Sequence, residues 1–230
     1  MNEITIISDI HLGSHVCNYK NVLSFLEKLE TKTLIINGDL FDSWDFRRLK
    51  KNHWKILEKL RSLSKTIKII WIKGNHDGPA DLVSHLLGVE FVDEYIQNNI
   101  LILHGDLFDD FISKYPRFTK IVDYFYRFIQ KIDKYYNTGY FYSNWAKRSS
   151  KTFLRCSELV AERALDYCKY KKCNNVICGH THLCFEKNKD NMNYYNCGCW
   201  TESKCSYITI NFNKIKINYF DKLEINDKIS

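Results

Sequence analysis

Proline is nearly absent from this chain of 230 residues, with two in all, and glycine is limited to nine. That scarcity excludes a Pro-rich or Gly/Ser-rich linker and leaves a single domain over 1–230 as the expectation. Also missing is any apolar run near the ~20 residues that a membrane-spanning helix requires. The stretch "IKIIWI" at 67–72 instead has the length of a buried strand. No charged-then-apolar leader follows Met1, so the chain is expected in the cytoplasm rather than exported.

Cysteine, by contrast, is plentiful: there are nine, an odd number, which in a reducing compartment reads as free thiols. Cys197 and Cys199 form a lone C-x-C, a weak zinc signal without a second pair. Lysine and arginine outnumber aspartate and glutamate by 34 to 27, a formal charge of +7. Such a balance suits a phosphate-bearing or anionic partner, although lysine is spread along the whole chain.

The first hundred residues alternate between short apolar strands and amphipathic helices. "EITIIS", "TLIIN", "IKIIWIK", "EFVD" and "NILIL" read as strands, while "NYKNVLSFLEKLE", "HWKILEKLRSLS" and "PADLVSHLLG" read as helices. This alternation predicts an α/β fold with helices covering the sheet faces. From about 107 to 172 the pattern turns helical and rich in Tyr, Phe, Lys and Arg, which reads as a helical insertion. Beyond it come "NNVICGHTH" and β segments, the last a hairpin turning near Asn213-Lys214.

The polar residues that follow the strands carry the chemistry. "ISDIHLG" ends its strand with Asp9 and His11, "LIINGD" with Asp39, "IIWIKGNHD" with Asn75, His76 and Asp77. "ILILHGD" supplies His104 and Asp106, and "NVICGHTH" supplies His180 and His182. Each motif alone is an ordinary turn sequence. Together they place Asp9, His11, Asp39, Asn75, His104, His180 and His182 at strand carboxyl ends, where α/β sheets build their sites. Mixed oxygen and imidazole donors favour Mn, Fe, Zn or Co over calcium or magnesium. This set exceeds the needs of one tetrahedral ion and suits two divalent ions sharing a bridging carboxylate, with Mn2+ the first choice.

The ordered set D-x-H, GD, GNHD, HGD and GHTH resembles the calcineurin-like metallophosphoesterases. The resemblance implies a four-layer α/β/β/α sandwich. It implies one ion on Asp9, His11, Asp39 and His182, and the other on Asp39, Asn75, His104 and His180. It also implies that His76 is not a ligand but assists catalysis by stabilising the transition state or protonating the leaving oxygen. Asp77 is expected either to orient His76 or to serve only in the turn.

"GDLFDSWDFRR" at 38–48 and "YYNCGCWTES" at 194–203 resemble the branch containing bacterial UDP-2,3-diacylglucosamine pyrophosphatases. Such a resemblance implies a UDP-linked acylated glucosamine as substrate, cleaved to UMP and a lipid monophosphate during lipid A synthesis. It also implies a helical insertion that covers the acyl chains and peripheral contact with the cytoplasmic face of the inner membrane. Ser150 and Lys151, within "RSSK", are substrate candidates by the same likeness, as are Asp109 after HGD, Asn75, His76 and His180. Arg47 and Arg48 are candidates for the diphosphate or solvated surface charges. Cys199 stands where that branch often has Asp, and His76 where some members have Arg. Two alternatives stand beside this reading: a phosphodiesterase acting on nucleotides or nucleic acid, and a non-catalytic scaffold, which the complete ligand set disfavours.

Overall fold

The computed structural model describes residues 1–109, 149–202 and 204–220, together with positions 129, 133 and 135. Two sheets form the centre. The first has the order β11-β10-β1-β2-β3-β4, the second β5-β6-β7-β9-β8. In the first sheet β1 (Asn2–Ile7), β2 (Thr31–Asn37), β3 (Lys68–Ile72) and β4 (Glu90–Val92) run parallel. The hairpin of β10 (Cys205–Asn211) and β11 (Lys214–Phe220) joins antiparallel to β1. In the second sheet β6 (Ile100–Leu103), β7 (Asn175–Cys178) and β9 (Met192–Asn196) are parallel, edged by β5 (Glu94–Gln97) and β8 (Glu186–Lys189).

The strands are apolar on both faces, and alternation decides which core each residue enters. Ile4 and Ile6 of β1, Ile35 of β2 and Ile70 and Ile72 of β3 point between the sheets, where they meet Ile100, Ile102, Ile177, Cys197, Ile208 and Ile210. Their neighbours Ile7, Leu34, Ile36, Ile69 and Trp71 point outward onto helices. The outer layer there is α1 (Tyr19–Glu27) and α2 (Lys51–Leu63). In α2 the buried residues His53, Ile56, Leu57 and Leu60 recur at helical spacing, so one stripe faces the sheet. A short α3 (Asp81–Leu87) closes on Gly88, which takes the left-handed cap at φ +67°.

On the far side, α4 (Lys151–Tyr170) lays Val160, Ala161, Ala164, Leu165 and Cys168 over Leu101, Leu103, Val176 and Cys178. Three cores separated by two sheets make the expected α/β/β/α sandwich. One boundary differs from expectation. The helical stretch read as an insertion ends in α4, which is the fourth layer itself and not part of a lid. An amphipathic helix over a sheet and one over a ligand share the same residue pattern, so spacing did not separate them. The aromatic runs at 124–128 and 136–142 lie outside the described residues, as does nearly all of 110–148.

Two-residue turns with both residues left-handed close the hairpins at Asn98–Asn99, Asp190–Asn191 and Phe212–Asn213, the geometry that matches strand twist. The first of these makes β5 a strand that the sequence pattern had passed over. Among the described residues no disulfide joins the cysteines. Cys17 and Cys205, Cys168, Cys173 and Cys178, and Cys197 instead fill the three cores as small apolar groups. Ile35 is fully buried between the sheets. Its truncation, Ile35→Ala, is expected to cost about 2–5 kcal/mol in urea denaturation, through the cavity it leaves.

Candidate metal centre

Parallel pairing brings the carboxyl ends of β1, β2 and β3 side by side, and those of β6 and β7 likewise in the second sheet. The loops leaving β1 and β2 stay zipped beyond the strands. Asp9 N donates to Gly38 O (3.1 Å), His11 N to Asp39 O (3.0 Å), Leu12 N to Leu40 O (2.8 Å) and Asp42 N to Leu12 O (2.9 Å). From the other sheet, Gly179 N donates to His104 O (2.9 Å), and His180 N reaches Asp9 Oδ2 (3.1 Å). Trp200 N donates to Asp9 O (3.0 Å), so the "NCGCW" loop braces the same residue.

Asp9, His11, Asp39, His180 and His182 all adopt left-handed backbone, at φ 55°, 53°, 53°, 63° and 56°. Asp and His enter this region more readily than most residues, and such conformations persist where surrounding structure over-determines them. Here the inter-loop hydrogen bonds do so. The sharp reversals aim side chains back over the strand ends.

All seven predicted ligands converge. His182 Nε2 lies 3.0 Å from Asp9 Oδ1 and 3.2 Å from His11 Nε2. His11 Nε2 is 3.6 Å from Asp39 Oδ2, and His104 Nε2 is 3.5 Å from the same oxygen. Asn75 Oδ1 completes the other side, 3.3 Å from His104 Nε2 and 3.1 Å from His180 Nδ1. Asp39 thus stands between two groups of donors, and Asn75 caps one of them. Compact triads of ligand atoms are Asp9, His11 and His182; His11, Asp39 and His76; and Asp9, Asp39 and His104, each within 4.8 Å.

The second nitrogen of several imidazoles is held from behind. His104 Nδ1 donates to Asn37 O (2.9 Å) and His76 Nδ1 to Asp42 O (2.9 Å). A carbonyl can only accept, so Nε2 of each ring is the atom left for the site. His180 turns Nε2 to Asp109 Oδ2 (3.1 Å) and so presents Nδ1. His11 Nδ1 is in ion-pair contact with Asp42 Oδ1 at 3.5 Å, though not in directed hydrogen-bond geometry. Such outer partners orient metal ligands and fix their tautomers.

The electrostatics call for cations. Burial alone would push Asp9's carboxyl up, but the charge of His182 and the close approach of His11 and His182 hold it well below the usual range. Asp39 behaves likewise, burial being outweighed by the charge of His104 and its hydrogen bond. Burial would lower His11, yet its contacts with Asp42 and Asp9 push it up to about 10. Against the same burial, Asp39's charge pushes His104 up to about 10. Buried carboxylates that recruit protons onto neighbouring imidazoles form a site that divalent ions satisfy. Asp9 Oδ1, fully buried and without a directed hydrogen bond, fits the same demand.

The other candidate residues take the following places. Of the two roles expected for Asp77, its contacts match the one in the turn. Its carboxylate accepts from Asp39 N (2.7 Å), Phe41 N (3.3 Å), Gly74 N (3.0 Å) and Trp71 Nε1 (3.0 Å), tying the β2 and β3 loops together. Burial, then the charge of Asp39, raises it to about 6 despite those donors. Arg47 forms a surface pair with Asp45, with its side chain 90% exposed. Arg48 pairs with Asp42. Ser150 caps α4 by accepting from Phe153 N (3.3 Å), and Lys151 is an exposed residue of its first turn. Asp109 meets His180 as described.

Residues absent from the sequence-based site also matter. Ser8 Oγ contacts Asp9 Oδ2 and donates to Asn37 O. Asn196 Nδ2 reaches Gly179 O (2.6 Å) and Thr181 Oγ1 (3.2 Å), fixing the GHTH loop. Asp42 touches two histidines. The Asp after "GDLF" was visible in the sequence, but no pattern distinguished it from its neighbour Asp45.

Fold, donor set and charge define a metal-dependent phosphoester site. The family profile described as calcineurin-like phosphoesterase matches residues 3–184. The chain belongs to that family of metal-dependent hydrolases. No curated protein matches the sequence. Similar solved structures include an archaeal phosphodiesterase at 15% identity, covering 94% of this chain and 98% of that one with a TM-score of 0.48. The phosphoesterase YfcE from E. coli is similar at 15% identity, with coverages of 95% and 99% and a TM-score of 0.48. Vps29 of Entamoeba histolytica, complexed with Zn2+, is similar at 14% identity, with the same coverages and TM-score 0.48.

Gly38 has φ +83°, and a Cβ built on it would overlap the His104 ring. Gly38→Ala is therefore expected to lose bound metal, measured by elemental analysis after dialysis. It should also lose about 1–2 kcal/mol of stability from the left-handed backbone.

Proposed function

We propose that the chain hydrolyses the pyrophosphate of UDP-2,3-diacylglucosamine to UMP and 2,3-diacylglucosamine 1-phosphate at a centre of two divalent ions, Mn2+ first among them. One observation carries the hydrolytic part of this reading. Asp39 Oδ2 stands 3.6 Å from His11 Nε2 and 3.5 Å from His104 Nε2, a carboxylate shared by two donor groups. Asp9, His11 and His182 would hold one ion with it, and Asn75, His104 and His180 the other. When bound, two such ions generate a nucleophile from water near neutral pH and neutralise charge on the phosphoryl oxygens.

The chain's own groups supply the remainder. His76, held at Nδ1 by the Asp42 carbonyl, presents Nε2, and in its imidazolium form that atom donates to the phosphoryl or leaving-group oxygen. His76 N donates to Asp39 Oδ1 (2.9 Å), which locks this loop to the shared carboxylate. His76 also lies within ligand reach of His11 and Asp39. Its role as assistant or ligand is decided by whether metal survives its removal.

The lipid part of the reading is supported by the resemblance of 38–48 and 194–203 to one branch of the family. The two stretches meet at this site, one through Asp39 and Asp42, the other through Trp200 N on Asp9. Peripheral contact with the inner membrane surface follows from the acylated substrate. Among the described residues no helix is long and apolar enough to cross a membrane. The charge of +7 favours a second reading, a phosphodiesterase of nucleotides or nucleic acid.

Incubation of the Mn2+-loaded protein with UDP-2,3-diacylglucosamine should release UMP, detected by mass spectrometry, and Asp39→Ala should abolish it. Absence of UMP alongside turnover of an aryl phosphodiester would remove the lipid and advance the nucleotide reading. His76→Ala is expected to keep its metal while losing about 100-fold or more in kcat. Loss of metal instead would make His76 a ligand.

A further inference from the structure

Asp42 is buried, with 7% of its surface exposed, yet it sits in a surface turn and its carboxylate faces in two directions. Oδ1 lies 3.5 Å from His11 Nδ1. Oδ2 accepts from Arg48 Nη2, whose side chain is 39% exposed and reaches in from solvent. The main chain of the same residue accepts from His76 Nδ1 and donates to Leu12 O. One residue therefore touches the backs of two site histidines while being pinned to the β1 loop.

We propose that Asp42 is a positioning residue for the metal centre. Backed by Arg48, its negative charge 3.5 Å from His11 Nδ1 favours a proton on that nitrogen and leaves the Nε2 lone pair for an ion. The inference rests on the reading of His11 as a ligand. Its logic is that of a ring with two nitrogens: whichever carries the proton leaves the other as a ligand. His104 obtains this from a main-chain carbonyl, which substitution does not remove. His11 depends on a side chain, and so its alignment is open to mutation.

A plain structural role for Asp42 makes a different forecast. As an ion pair that ties residues 42–48, the turn needs only an acceptor for Arg48, and the amide of an Asp42→Asn variant supplies one. With its oxygen on Arg48, however, that amide would turn its NH2 toward His11 Nδ1. Such a donor favours the opposite tautomer, with the proton on Nε2, which cannot ligate. The substitution Asp42→Asn therefore separates the two roles with little change in shape. Arg48→Ala removes the outer anchor and leaves the carboxylate able to rotate away.

The test is calorimetric titration of the metal-free full chain with Mn2+, alongside thermal melting without metal. The set is wild type, His11→Ala, Asp42→Asn, Arg48→Ala and Arg48→Lys. Asp42→Asn should bind Mn2+ about 10- to 100-fold more weakly, Arg48→Ala less severely in the same direction, and Arg48→Lys should recover part of the loss. Metal-free melting of Asp42→Asn should stay close to that of the wild type. The inference is overturned if Asp42→Asn and Arg48→Ala hold Mn2+ within about twofold of wild type while His11→Ala loses it. It is also overturned if their melting falls while affinity holds. Unchanged affinity in His11→Ala would overturn the ligand reading itself. Should Asp42→Asn fail to fold, the surface change Arg48→Ala decides alone by the same measure.

Discussion

Two carboxylates, Asp9 and Asp39, are buried at 0% and 2% exposure within one cluster, and the rest of the site is organised around that cost. An unpaired charge in such a place would take up a proton or expel the loop that carries it. Neither happens, because three kinds of partner meet the two groups: a hydroxyl, main-chain amides and imidazoles. Ser8 and the His180 amide hold Asp9, the His76 amide holds Asp39, and imidazoles face both. The same carboxylates that make the fold harder to close give it an affinity for cations. Stability and chemistry here draw on one interaction.

The architecture follows from the need to bring those loops together. A single parallel sheet would align the ends of β1, β2 and β3 but supply nothing opposite them. The isoleucine-lined face between the sheets brings in β6 and β7, and with them His104, His180 and His182. Asp77 then ties the β2 and β3 loops with one carboxylate, and Asn196 clamps the GHTH turn. The described helices lie outside these sheets and carry none of the seven candidate ligands. They dry the outer faces so that strands apolar on both sides can exist at all.

How far could this be read from residues alone? The clustering of the seven candidate ligands was legible because each follows an apolar strand, and strand polarity dictates which end carries the site. The sandwich was legible through the family resemblance and not through periodicity, since isoleucines pointing inward and outward look alike in sequence. Asp42 and Asp45 show where reading stops. Both lie in one polar turn beside arginines, and only tertiary contact makes one the neighbour of His11 and the other a surface partner of Arg47. Asp77 stands beside His76 in sequence, but tertiary contact commits its carboxylate to the Asp39, Phe41 and Gly74 amides and the Trp71 indole. Strand β5 was missed because "EYIQNNI" has its turn signal, Asn98–Asn99, late and its strand residues few.

The left-handed backbone at Asp9, His11, Asp39, His180 and His182 constrains the ways in which this centre can change. Branched residues such as Val, Ile and Thr meet a steric barrier at every one of these positions, whereas Asn and Gly fit them with ease. A lineage that lost its chemistry would thus drift toward amides and glycines at these points while keeping the loops in place. The site can be silenced by small exchanges long before its shape is lost. A silent descendant would keep the same cradle and could be recognised by its asparagines.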